Sequence, residues 1–111
     1  MIIEMVQEYI FVLCACRSEA EAEEIASRLV SNRLAACVNI SAPVRSVYRW
    51  QGKVESAPEW LLTIKTERSR FDDLAAAIQA IHSYELPEIV ALPIAAGFAP
   101  YLKWITDSVH E

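Results

Sequence analysis

A chain of 111 residues is the size of one domain. A composition that is 54% hydrophobic and 23% charged excludes a disordered polymer, and a net charge of −5 without any Lys/Arg run excludes a simple basic nucleic-acid footprint. The longest apolar stretches fall short of the ~18 residues a membrane span needs, and "MIIEMVQEY", with Glu4 and Glu8 and no basic start, does not read as a signal peptide. The expected compartment is therefore the cytoplasm.

In chain order, "EYIFVLCAC" (8–16) is a continuous apolar run that reads as a strand buried on both faces. "SEAEAEEIASRLVSNRL" (18–34) switches to helical period. Ser18 with Glu21 makes a capping box, and Ala22, Ile25, Ala26 and Leu29 form the apolar stripe. "AACVNI" (35–40) is a second strand, interrupted by Pro43 and resumed by "VRSVYRW" (44–50). "QGKVE" (51–55) puts Gly52 where a hairpin must turn. After a break at "SAP" (56–58), "EWLLTIKT" (59–66) alternates, with Trp60, Leu62 and Ile64 on one face and Glu59, Leu61, Thr63 and Lys65 on the other. Ser69, with Asp72 in the box position, caps a second helix whose stripe is Phe71, Leu74, Ala75, Ile78 and Ile81. His82 ends it and Pro87 forbids continuation. "EIVALPIA" (88–95) is a last strand. Gly97 turns the chain, and Pro100 starts a third helix with Leu102, Ile105 and Val109 on one face.

This order predicts a single α+β domain over residues 1–111, a ferredoxin-like βαββαβ sandwich with an extended hairpin between its second and third strands and a C-terminal helix. Two helices cover one face of such a sheet. Residues 10–15 and 89–95 are apolar at odd and even positions alike, so the second face also asks for burial, and other copies of the chain are the simplest cover. Three cysteines, Cys14, Cys16 and Cys37, form no disulfide framework and are expected reduced. With two glycines, no Gly-rich phosphate loop exists.

"LAACVNI" (34–40), "SVYRWQGKVE" (46–55), "IKT" (64–66), "HSYELPEIVALPI" (82–94) and "YLKWI" (101–105) together resemble the CutA divalent cation tolerance family, from about Tyr9 to the C-terminus. Residues 1–7 fall outside the resemblance and read as an N-terminal extension. The resemblance implies a tight homotrimer with inward-facing sheets, an architecture similar to the trimeric PII signalling proteins, a cytoplasmic role in tolerance to copper and other divalent cations, and no enzymatic activity. It also implies a copper site at the cysteine matching Cys14 and at two adjacent histidines before the "PE" motif. Only the second histidine is present, as His82; the first position is Ile81.

Three constellations follow. Cys14 and His82 are borderline-soft ligands suited to copper or zinc, and Cys16, on the same strand face as Cys14, can complete a chelate for Cu(I). The plain structural alternative makes the cysteines small core residues and His82 a hydrogen-bonded helix terminator. Cys37, Glu59, Lys65, Tyr84, Glu85 and Glu88 are candidates for a polar inter-subunit cleft that takes a small ligand or ion, or for an interface ion-pair network. Tyr48, Trp50 and Lys53 flank the hairpin turn and read as trimer contacts. Cys37 with His82 as nucleophile and base lacks a third orienting group, so the expected partners are metal ions and further copies of the chain, with no nucleic acid and no membrane.

Overall fold

The computed structural model describes residues 8–111; the extension expected over residues 1–7 lies outside them. The elements are β1 (Tyr9–Cys16), α1 (Glu19–Ser31), β2 (Cys37–Ile40), β3 (Val44–Trp50), β4 (Lys53–Glu67), α2 (Phe71–Ile81), β5 (Val90–Pro93) and α3 (Ala99–Val109). The sheet runs β2-β4-β1-β5 with every pairing antiparallel, and β3 continues along the same side of β4 as β2. The β-α-β-β-α-β order is thus present, with its second strand split at Ser41–Pro43. Ser41 bridges the split, its N–H donating to the Leu61 carbonyl and its hydroxyl accepting from the Leu61 N–H.

One sheet face is the core. Ile10, Val12, Cys14 and Cys16 of β1 and Leu62 and Ile64 of β4 pack against Ala22, Ile25 and Leu29 of α1 and Leu74 and Ile78 of α2. Each large aliphatic side chain buried there contributes about 1.5–3 kcal/mol relative to exposure. The polar residue on this face, Thr66, is fully buried and donates to the Leu34 carbonyl at 2.7 Å. The opposite face carries the odd-numbered residues of β1 and β4 and, in β5, Val90 and Leu92. At one end α3 covers it, with Ile105 and Val109 packed on Ala36 and Tyr9. Elsewhere it is open: Leu61 and Leu92 are each 37% exposed and Val90 51%.

Four expectations are corrected. Within the single chain, strand β1 is fully buried on its core face, while its odd positions Tyr9, Phe11 and Leu13 are half-buried, because among the described residues only α3, at the Tyr9 end, lies over that side. There is no break at Ser56–Pro58. Strand β1 flanks β4 only from Trp60 onward, so 53–59 form a two-stranded ribbon with one free edge, where proline is tolerated. Ser69 does not cap α2: residues 68–70 make a 3-10 turn, Arg70 takes the cap position, and the Ser69 hydroxyl donates to Glu67 instead. The last strand is four residues long and exposed, an edge strand bracketed by Pro87 and Pro93 rather than a doubly buried one. The hairpin turn is as expected: Gln51 and Gly52 have φ of 50° and 80°, and two consecutive positive φ values are what a type I′ turn requires.

A hydrogen-bonded clasp holds α3. The Tyr9 hydroxyl donates to Thr106 Oγ1, which donates to Glu67 Oε2, both at 2.7 Å; His110 Nε2 lies 2.6 Å from Glu67 Oε1. Arg33 donates to the carbonyls of Ser108 and His110, and Arg70 to that of Val109. Burial pushes the Glu67 carboxyl up, but the bonds from Thr106 and His110 more than offset it, leaving it below its usual range.

Two outcomes are expected. Gly52→Ala should cost about 1–2 kcal/mol in urea unfolding, because the site is sterically open and the penalty is the left-handed backbone alone. The Glu67 contribution to stability is present above the unfolded pKa of about 4.3 and lost as pH falls through the lower folded value. Thr106→Val should therefore remove roughly 1–3 kcal/mol at pH 7 and flatten the acid limb of a stability–pH curve; an acid limb as steep as that of the wild type would contradict the clasp.

Candidate metal centre and adjoining cleft

Side chains two apart on a strand share a face, so Cys14 and Cys16 both point into the core, 1% and 0% exposed. Helix α2 delivers His82 to the same place. The helix ends when His82 turns extended, at φ −72° and ψ 138°, and its side chain is completely buried. One sulfur of each cysteine and one ring nitrogen of His82 lie within 4.8 Å of one another, the one such group of metal-ligand type among the described residues. The sequence-based set Cys14, Cys16 and His82 is therefore brought together. Ile81, in place of a second histidine, is half-buried and packs against the core.

The hydrogen bonds assign the ring tautomer. His82 Nε2 is 2.8 Å from the Ala15 carbonyl, an acceptor only, so Nε2 carries the proton. Nδ1 accepts from the Tyr84 N–H at 3.0 Å. Cys16 Sγ stands 4.0 Å from Nε2. The Cys14 thiol is held far above its usual range, first by its contact with Cys16, then by burial and by the Glu88 carboxylate. In this arrangement the cluster is a hydrogen-bonded core, and it accepts a metal only by giving up the Nε2–Ala15 bond and the thiol protons.

A fourth group was not legible in the sequence. Glu21 reads as half of a capping box, and Ser18 does accept from the Glu21 N–H at 3.1 Å. The return half of a capping box, a bond from the Ser18 N–H to the Glu21 carboxylate, is not formed. The Glu21 side chain crosses to the end of α2, where Oε2 accepts from the Ser83 N–H at 2.9 Å and Oε1 lies 4.0 Å from His82 Nδ1. A local pattern assigns that carboxylate to its own helix; only the packing of α1 beside α2 reveals the other use.

The wall of this cluster is also the wall of a cleft. A cavity of about 720 Å³ is lined by Ala15, by Tyr48, Trp50, Glu55 and Glu59 of the β3–β4 ribbon, and by Ser83, Tyr84, Glu85 and Glu88 after α2, among others. The Tyr84 hydroxyl donates to Glu59 at 2.7 Å, which together with burial pushes the phenol up. The cleft gathers most of the second and third constellations. Cys37 and Lys65 are elsewhere: they are paired opposite each other in β2 and β4, and Lys65 donates to Asn39. Glu59 and Lys65 share a face but lie six residues apart on one strand, roughly 20 Å, so within one chain they do not pair. Cys37, on the opposite face from His82, has no base beside it. Lys53 sits at the exposed ribbon tip, next to the turn.

A sequence profile described as "CutA1 divalent ion tolerance protein" matches residues 10–108. The divalent-cation tolerance protein CutA of Thermus thermophilus is 48% identical over 97 residues, covering 87% of this chain and 94% of that one. A CutA homolog of Xenopus laevis is 44% identical over 96 residues, but the match spans 64% of its length, so this chain corresponds to part of some curated relatives. The solved structure of the protein described as periplasmic divalent cation tolerance protein CutA from Archaeoglobus fulgidus superposes with a TM-score of 0.89 at 40% identity, covering 92% of this chain and 99% of that one. The mixed α+β fold, with its antiparallel sheet and three helices, is that of these proteins, and the chain belongs to the CutA1 divalent ion tolerance family.

Proposed function

We propose that the chain serves in divalent-cation tolerance by binding copper, held as Cu(I) by the sulfurs of Cys14 and Cys16 and by Nε2 of His82. The observation that supports this most is the convergence of two thiols and one imidazole within 4.8 Å. Two sulfurs and one nitrogen are a soft donor set. The role is binding, not catalysis. Four glutamates against Arg49 line the cleft outside the cluster, and such a lining raises the local concentration of cations.

The working form we propose is a homotrimer in which copies cover the open sheet face, with Tyr48, Trp50 and Lys53 as contacts. The half-exposed apolar residues Leu61, Val90 and Leu92, and Tyr48 and Trp50 at 40% and 37% exposure, support this. Three free cysteines suit a reducing compartment such as the cytoplasm. No helix among the described residues is long and apolar enough to cross a membrane. A second reading, a PII-like trimeric sensor or scaffold, has the size of the cleft in its favour; its acidic and aromatic lining favours a cationic small ligand over a nucleotide.

Competition titration with a Cu(I) chelator tests the first reading. Cys14→Ser, Cys16→Ser and His82→Ala should each weaken Cu(I) binding at least tenfold, and affinities equal to wild type in all three would end it. In the metal-free protein, His82→Ala should cost about 1–3 kcal/mol in urea unfolding, because the Ala15 carbonyl and the Tyr84 N–H each lose a partner. Light scattering should give three times the chain mass; a stable monomer would contradict the trimer.

A further inference from the structure

We infer that Glu21 is the positioning residue of the copper site: its carboxylate takes the Nδ1 proton of His82 in a hydrogen bond when Nε2 is freed for the metal. This rests on the metal reading above. Its own basis is one unmatched buried oxygen beside the ring. Glu21 Oε1 is buried without a hydrogen-bond partner among the described residues, while its sister oxygen is held by the Ser83 N–H. The unmatched oxygen lies 4.0 Å from His82 Nδ1.

In the metal-free tautomer Nδ1 has no proton to offer, so Glu21 Oε1 and Nδ1 are two acceptors facing each other. Binding through Nε2 reverses this. The Nε2 proton leaves to solvent, Nδ1 gains one from solvent, and the ring's charge is unchanged. Nδ1–H then needs an acceptor, and Glu21 Oε1 needs to move about 1.2 Å closer to reach the ~2.8 Å of a charge-assisted bond. The Tyr84 N–H and the Ala15 carbonyl release the ring in the same event, so the loop after α2 has to shift. A carboxylate behind a ligating histidine fixes its orientation and raises its basicity. In a cluster with a single imidazole, that anchoring matters more than in one with two. The bonds from Ser83 keep Glu21 ionised despite its burial.

The test uses the full chain labelled with ¹⁵N in its histidine rings, with and without Cu(I). Metal-free wild type should show the Nε2–H tautomer of His82, and the Cu(I)-loaded protein Nδ1–H with a strongly downfield proton. Glu21→Gln should bind Cu(I) about 10–100-fold more weakly and lose the downfield shift, whereas Glu24→Gln, an exposed acid on the same helix, should match wild type. Equal affinity of Glu21→Gln and wild type, while His82→Ala is weakened, would overturn the role of Glu21 and leave the copper site standing. Loss of affinity in Glu24→Gln as large as in Glu21→Gln would also overturn it, reducing the effect to net charge. Failure of wild type to bind Cu(I), or binding indifferent to His82, would remove the site and this inference together.

Discussion

The constraint on which the molecule depends is the side-chain alternation of its first strand. Strand β1 must keep Ile10, Val12, Cys14 and Cys16 beneath two helices, and its register with β4 sets Cys14 opposite Leu62 and Cys16 opposite Trp60. A slip of one residue would turn both thiols out to the open face and bring Leu13 and Ala15 in. Because the strand holds its register through the core, packing alone fixes the sulfurs in place. The cluster is therefore a by-product of packing as much as a site, which is why its cysteines are buried as thiols rather than exposed as thiolates.

The second helix adds what the strand cannot. Its apolar stripe pins Leu74 and Ile78 into the core, so its last residue has one place to go. There His82 closes the cluster, and the residues after it open the cleft. The same short segment faces inward through an imidazole and outward through Tyr84, Glu85 and Glu88. One strand residue, Ala15, separates the acidic cleft from the sulfurs. The hydrogen bonds of His82 to Ala15 and Tyr84 hold the metal-free arrangement.

Much of this was legible in the sequence because the signals are local. Periodicity gives α1, α2 and α3 with their buried faces. The Gln51–Gly52 turn follows from the need for positive φ, and Cys14 and Cys16 share a face by arithmetic alone. The misreadings have non-local causes. Pro58 looks like a strand break until the free edge of the ribbon is known. "EIVALPIA" looks doubly buried from its apolar run, and only its place at the sheet edge shows it exposed within one chain. Glu21 was assigned to its own helix because the sequence cannot show that α1 lies beside the end of α2.

The proposed copper site joins the family's link to divalent cations with the chemistry of this cluster at one point, the donor set. X-ray absorption of the Cu(I)-loaded protein reads that set directly. Two sulfur ligands and one nitrogen, with one sulfur lost in Cys14→Ser, are what the account predicts. A copper environment of oxygen and nitrogen alone would contradict it and shift the site out to the glutamates of the cleft.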